Sequence, residues 1–461
     1  MPKKPPTNRS ASASAPTSVV TLSPRGVARI KAGHPWVYRS DIAAADGIAP
    51  GAMVGVTDQR GKLLGTALYS SSSQIAIRMI ARNEARVADL PALVSERIRA
   101  AIAYRNEVVA DTDAYRVVFS EGDFLPGLIV DRYNDVLSVQ ILTQAMDAEP
   151  VRGAVIATLV EEFKPAGIVE RVDPRIRTLE ELAPRESGLL WGRKSSTIIT
   201  MNGASRVELT SETKSKGRVE RTCPEREPKG PVERAPSPAA LSVDSKPEAE
   251  TGAGGTAGVR FHYDGLEGQK TGAFLDQREN YAAATRYAHG QALDVFCYQG
   301  GFALHLAAKC PTVTGVDSSR PALEMAEKNA ALNGREIEWI EANAFDLLRD
   351  YAAAGRRYDT VILDPPAFAK TKRDLDKARS GYKELNLRAL KMLGPAGIFV
   401  TCSCSFHVSA ADFLEVVAEA ARDAHKSLRL LESRAQAKDH PMLLNVPETG
   451  YLKCLIFHVS N

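Results

Sequence analysis

Cysteine is scarce in this sequence: six occur among 461 residues, at Cys223, Cys297, Cys310, Cys402, Cys404 and Cys454. They form no regular framework, so a disulfide-stapled secreted protein is excluded and a reduced, cytoplasmic compartment is expected. No apolar run approaches the roughly 20 residues that cross a bilayer, which argues against a membrane partner. The first 18 residues, Met1 to Ser18, lack the apolar stretch of a secretory leader and read as a flexible tail. Neither sign of charge dominates, with 59 Lys and Arg against 56 Asp and Glu. A net charge of +3 neither identifies nor forbids a nucleic-acid partner. Aromatic residues are absent from Ala204 to Gly258, where Lys, Arg, Glu, Pro, Ser and Gly prevail. Such a stretch cannot bury enough surface to offset its chain entropy, so 204–258 reads as a disordered insertion.

What is present divides into three blocks, the number expected at about 150 residues per domain. Residues 19–85 hold short β-branched runs between turn signals. Val54 to Thr57 precedes the turn Asp58-Gln59-Arg60-Gly61, and Leu63 to Tyr69 follows it. Gln74 to Ile80 alternates, with Ile75, Ile77 and Met79 on one side and Gln74, Ala76 and Arg78 on the other. Period-two alternation marks half-buried strands, and a small β-barrel is expected. Residues 90–203 combine helical spacing of Leu93, Val94, Ile98 and Ile102 with two strands, Leu128–Asp131 and Val136–Gln140, about a turn at Arg132 to Asp135. This reads as a central α+β domain.

Residues 259–461 alternate strands and helices, which implies a mostly parallel sheet of Rossmann-like α/β class. Strands are expected at 292–297, 313–316, 337–340, 360–363, 397–401, 427–431 and 452–459, with helices at 302–308, 321–332, 345–351, 382–393 and 411–421. The last strand follows a loop, so it is the candidate antiparallel member. Ligands of open parallel sheets bind at the carboxyl ends of the strands. The first strand ends in Asp294-Val295-Phe296-Cys297-Tyr298-Gln299-Gly300-Gly301, where two glycines permit close backbone approach. The second ends at Asp317-Ser318, an acidic position suited to ribose hydroxyls. The third ends at Asn343-Ala344-Phe345 beside an adenine-sized slot. The fourth ends at Asp364-Pro365-Pro366, a rigid corner that can offer a carboxylate and a carbonyl to a planar base.

The chain resembles the class I S-adenosylmethionine-dependent methyltransferases. More closely, it is similar to the large-subunit ribosomal RNA cytosine-C5 methyltransferases that carry an amino-terminal PUA domain. The resemblance rests on His34-Pro35-Trp36-Val37, Leu125 to Arg132, Lys270 to Arg278 and Tyr298-Gln299-Gly300-Gly301-Phe302. It rests also on Asp364 to Lys370, Gly381 to Asn386, Ser403-Cys404-Ser405 and Asp439-His440-Pro441. It implies a PUA-like RNA-binding barrel, a central domain and a class I catalytic domain, with S-adenosylmethionine as cofactor and large-subunit ribosomal RNA as partner. It implies that Asp294, Phe296, Cys297, Tyr298, Gln299, Gly300, Asp317, Ser318, Asn343, Ala344, Phe345 and Asp364 surround the cofactor. Family members usually carry an acidic residue where Asn343 stands, and the 204–258 insertion is foreign to them.

Cytosine carbon 5 is too weak a nucleophile to take a methyl group unaided. A thiolate added at carbon 6 activates it, so a reactive cysteine near the Asp-Pro-Pro corner is required. Cys404 occupies the family nucleophile's position. Asp364 would protonate or hydrogen-bond ring nitrogen 3. Cys402 reads as packing or a spare thiol and His407 as a loop residue; Cys402, Cys404 and His407 together lack a clear fourth ligand and normal zinc spacing, so no metal is expected. No base for the carbon-5 proton is assigned. Phe368 is a candidate to stack on the extruded base, and Trp36, Arg39 and Arg78 are candidates to touch RNA. The competing readings are a base amino-methyltransferase that needs no thiolate and an inactive RNA-binding assembly factor. The oligomeric state is left open.

Overall fold

In the computed structural model, residues 18–82, 89–202, 258–266, 273–369 and 371–460 are described. Most of the expected tail, nearly all of the 204–258 insertion, Lys270 to Gly272 and Lys370 lie outside the described residues.

The β-branched runs of the first block pair into a six-stranded sheet. Its order is Trp36–Tyr38, Ile75–Arg82, Leu63–Tyr69, Met53–Thr57, Val19–Leu22 and Ile42–Ala44. Val20, Leu22, Val37, Val54, Val56 and Ile77 fill its core. One expectation is corrected here. Gln74 is exposed, but within the strand Ala76 and Arg78 form no solvent face, because Ala76 is 0% and Arg78 8% exposed. The central unit covers Arg78, whose Nη2 meets Glu180 Oε1 at 2.9 Å, and Ser70 Oγ donates to Glu180 Oε2 at 2.7 Å. A strand between two domains is buried on both faces, and its polar positions then become ion-pair partners.

The central unit is a five-stranded sheet ordered Gly188–Gly192, Gly167–Glu170, Val136–Ile141, Leu128–Tyr133 and Ala114–Phe119. Asn134, at φ +53°, forms the turn of the hairpin Leu128–Tyr133 and Val136–Ile141. Helices Leu90–Val108 and Glu149–Phe163 pack over this sheet. The next strand, Ser196–Met201, leaves the central sheet and pairs antiparallel with Val259–Asp264. Met201 and Val259, which stand on either side of the 203–257 stretch in the sequence, are therefore paired. Tyr263 stacks on Tyr133 at 3.7 Å, and Ile199, Met201 and Phe261 enter the same core as the catalytic helices.

The catalytic sheet has seven strands: β1 (Gln291–Val295), β2 (Thr312–Asp317), β3 (Glu338–Glu341), β4 (Tyr358–Leu363), β5 (Leu393–Ser403), β6 (Ser427–Arg434) and β7 (Lys453–Ser460). Their order is β3-β2-β1-β4-β5-β7-β6, and β7 alone runs antiparallel to its neighbours. Two helices depart from the sequence reading. Arg278–Tyr287 was not expected, and Leu375–Met392 begins seven residues before Tyr382. The order reverses at β1 and β4, which sets a crevice above their carboxyl ends.

Candidate active site

The turn after β1 is held in an uncommon conformation. Phe296, Tyr298 and Gly300 all have positive φ, at +68°, +50° and +87°. A Cβ on Gly300 would lie 2.9 Å from the Trp339 ring, so only glycine fits. Two carboxylates pin this strained loop. Asp294, at 0% exposure, accepts the Ala303 amide at 2.8 Å. Asp317 accepts the Tyr298 amide through Oδ2 and the Ser319 amide through Oδ1, each at 2.9 Å. A carboxylate has about four acceptor sites, so Asp317 keeps capacity for ligand hydroxyls.

Above this loop opens a cavity of 520 Å³. Of the sequence-expected cofactor residues, Phe296, Cys297, Tyr298, Gln299, Asp317, Ser318 and Asp364 line it. Asp294 lies beneath the loop, and Gly300 supplies its turn. Asn343, Ala344 and Phe345 are not brought to the cavity wall. Asn343 is exposed and its amide oxygen caps helix Ala344–Ala353, accepting the Phe345 amide at 2.9 Å. Phe345 packs on Phe368, and Phe368 in turn on Tyr382 at 4.7 Å, and neither residue lines the cavity.

The other half of the cavity carries the acid and the thiol. Asp364 follows β4, and Gln277 Nε2 donates to its Oδ2 at 3.0 Å. Removal from bulk water, with help from nearby Asp276, pushes the Asp364 carboxyl up to about 7. Burial likewise pushes Asp294 up to about 8, with Asp364 and Asp317 adding repulsion. Cys404 lines the same wall, its Sγ 3.9 Å from the Pro365 carbonyl. Cys402 is fully buried, faces Cys454 across β5 and β7, and lies outside the cavity. Burial drives its thiol well above the ordinary range, which leaves it unreactive.

Several lining residues carry no sequence assignment. Phe274, Asp276, Gln277 and Tyr281 come from the entry to helix Arg278–Tyr287, and Tyr451 and Leu452 from the approach to β7. Tyr451 donates its hydroxyl to Asp276 Oδ2 at 2.6 Å. Phe274, Asp276 and Gln277 lie within the quoted stretch Lys270 to Arg278, but only the folded chain joins Asp276 to Tyr451, 175 residues apart. The three candidate RNA contacts are tied internally. Trp36 Nε1 donates to Glu121 at 2.9 Å, Arg39 to the Ser70 and Ser73 carbonyls at 2.9 Å each, and Arg78 pairs with Glu180. Among the described residues no group of three His, Cys, Asp or Glu side chains is placed to hold a metal.

The donor set fits a cationic nucleoside. Asp317 at the end of β2 and Asp364 after β4 bring acidic groups to the cavity wall, where a sulfonium would be favoured. Asp317 offers acceptors to a ribose, Phe274, Phe296 and Tyr298 offer aromatic surface, and the volume suits a ligand of that size.

Comparison with known proteins agrees. A PUA-like domain model matches residues 20–82, and an S-adenosylmethionine-dependent methyltransferase model matches residues 236–458. Ribosomal RNA large subunit methyltransferase I of Pseudoalteromonas translucida is 34% identical over 96% of this chain and 100% of its own length. The enzyme of the same name from Photobacterium profundum is 33% identical over 93% of this chain and 96% of its own. A solved Streptococcus mutans structure, described as an S-adenosylmethionine-dependent methyltransferase, covers 96% of this chain and 100% of its own. Its TM-score is 0.71 at 15% identity, a likeness of fold.

Proposed function

The chain belongs to the ribosomal RNA large subunit methyltransferase I family, and from that premise we propose that it methylates carbon 5 of a cytosine in large-subunit ribosomal RNA through a covalent Cys404 adduct. The observation that carries the reading is the shared wall of Cys404 and Asp364 at the ends of β5 and β4. S-adenosylmethionine, when bound, supplies an electrophilic methyl group. Asp317, Phe296, Tyr298 and Gln299 would hold it at the β1–β2 side of the cavity.

The chain's own groups do the rest. The Cys404 thiolate forms a bond to carbon 6, and the displaced ring electrons reach carbon 5. Asp364 gives a proton to ring nitrogen 3 as charge develops there. A carboxyl held up to about 7 is protonated in about half the molecules at neutral pH, where an ordinary aspartate is almost wholly ionised. Gln277 fixes the carboxyl's orientation. The carbon-5 proton then passes to a base outside these residues, its electron pair forms the carbon 5–carbon 6 double bond, the Cys404 sulfur leaves with the carbon–sulfur pair, and ring nitrogen 3 returns its proton to Asp364. Phe274 and Tyr281 would shield the ring from water. Ribosome assembly occurs in the cytoplasm, where we place the protein.

RNA carrying 5-fluorocytosine tests this chemistry, because fluorine cannot leave as the proton does. The wild type should form a gel-stable covalent adduct, and Cys404→Ala should form none and lose turnover. Intact methyl transfer by Cys404→Ala overturns the thiolate mechanism in favour of an exocyclic nitrogen target. Absence of S-adenosylmethionine binding by calorimetry would favour an inactive assembly factor.

A further inference from the structure

Lys453 opens β7 directly across from Ser403, the last residue of β5. Its ammonium turns back toward the loop after β5. It donates to the Ser405 carbonyl at 2.7 Å and to the Tyr451 carbonyl at 2.9 Å. Ser405 is the residue after Cys404, and Tyr451 stands on the cavity wall beside it. An ammonium has three donors, and two are spent on carbonyls that bracket the thiol.

This is a costly place for a charge. The side chain is largely withdrawn from water, and among the described residues it forms no ion pair with a carboxylate. Burial lowers the Lys453 pKa to about 8. Among the described residues the charged group that favours its ammonium is Cys404, whose thiolate raises that value. Electrostatic coupling is mutual, so the same ammonium favours the thiolate. An unassisted thiol is only a few per cent ionised at neutral pH, and a neighbouring lysine raises that fraction.

The other groups facing Cys404 do not supply this charge. From helix Leu375–Met392, the Tyr382 hydroxyl bonds Ser403 Oγ at 3.0 Å and Ser405 Oγ at 2.9 Å. Burial raises the Tyr382 pKa, which keeps it neutral. From the end of β4, Asp364 opposes a thiolate whenever it is ionised. His407, in the same loop, has its ring against Phe406.

We propose that Lys453 is the positioning residue of the nucleophile: tied to the Ser405 and Tyr451 carbonyls, it fixes the loop carrying Cys404 and sets a positive charge beside the sulfur, stabilising the attacking thiolate. The proposal rests on Cys404 being the nucleophile.

The experiment measures iodoacetamide alkylation of Cys404 against pH in the full chain, resolved by peptide mass spectrometry. Buried Cys402 serves as an internal check on folding, and calorimetric binding of S-adenosylmethionine as a second. Wild-type Cys404 should titrate below the ordinary thiol value. Lys453→Met should move the midpoint up by about one unit, an about tenfold slower reaction at neutral pH. Lys453→Arg should recover most of that rate. Lys453→Gln keeps donors for the carbonyls but not the charge, and should behave like Met. A wild-type midpoint at or above the ordinary value, an unmoved midpoint in Lys453→Met, or full recovery by Gln overturns the proposal. The wild-type measurement decides even if a variant fails to fold. A depressed, Lys453-dependent midpoint without any 5-fluorocytosine adduct would overturn Cys404 as nucleophile and with it Lys453's part in the attack, leaving only the electrostatic effect of Lys453 on the thiol.

Discussion

Gln277 Nε2 donates to Asp364 Oδ2 at 3.0 Å, and Gln277 Oε1 accepts from Asn280 Nδ2 at 2.7 Å. The acid is thus oriented by a relay from a buried helix start. Two opposed influences act on it: burial and Asp276 raise its pKa to about 7, and the Gln277 bond lowers it. With protonated Asp364 proposed as the working form, kcat/KM should fall as pH rises through about 7. Gln277→Leu removes the lowering influence and should move that descending limb upward. Asp364→Asn should abolish the limb and cut turnover by about a hundredfold or more. A limb that stays in place in Gln277→Leu would contradict this assignment.

The same carboxyl makes a stability prediction of opposite sign to most acids. Its folded pKa stands above the unfolded value of 3.8, so the folded state binds the extra proton between those values. Stability should therefore decline as pH rises from about 4 to about 7, and level off beyond. Asp364→Asn carries no such charge. Its melting temperature relative to wild type should be more favourable at pH 8 than at pH 4, as scanning calorimetry would show.

Asn343 separates two roles that a sequence cannot distinguish. Its side-chain oxygen is spent on the first turn of helix Ala344–Ala353, accepting from the Phe345 and Asp346 amides. Asn343→Ala should cost about 1 kcal/mol in urea unfolding, the usual loss of a helix cap. Calorimetric affinity for S-adenosylmethionine should change by less than a few-fold. A large affinity loss would instead place the amide on the adenine.

Much of this architecture was legible beforehand because central parallel strands are buried on both faces. Val361 to Leu363 and Ile398 to Val400 read as continuous apolar runs, and Asp364 and Cys404, just beyond their strands, line the cavity. Gly300 was legible because few residues tolerate its backbone. Asp276, Gln277 and Tyr451 were not, since their relation to Asp364 is set by a helix start and a strand approach that meet only in three dimensions. The face of Arg78 misled for a related reason. Alternation shows which side chains share a side, but not whether a second domain covers that side.

Arg78 accordingly yields a test that distinguishes packing from RNA contact. Its partner Glu180 has a side chain only 5% exposed. Arg78→Ala strands that carboxylate and should destabilise the protein by about 3–5 kcal/mol. The salt dependence of RNA binding by the remaining folded protein should keep its slope. A phosphate-contacting arginine would instead reduce the slope by about one.

Asp439 joins the central and catalytic units. It is fully buried, accepts the Arg116 amide at 2.8 Å, and lies 3.5 Å from Arg278 Nη2 and 3.4 Å from His440 Nδ1. Arg105 Nη2 donates to its carbonyl at 2.8 Å. Burial alone would raise its pKa, but His440, Arg278 and the Arg116 amide overcome that and hold it well below the ordinary carboxylate range. A depressed folded value contributes stability that is complete above the unfolded pKa and lost as pH falls through the folded one. Asp439→Asn should therefore cost about 3–5 kcal/mol in urea unfolding between pH 5 and pH 8. The gap to wild type should narrow below pH 4, where the wild type also loses its charge. The phenylalanine at 119 rests on His440 at 5.3 Å and on Tyr451 at 6.3 Å, so loosening this joint should reach the cavity wall. Asp439→Asn should then raise KM for RNA more than for S-adenosylmethionine, and equal effects on both would deny that the joint transmits to the Tyr451 side of the site.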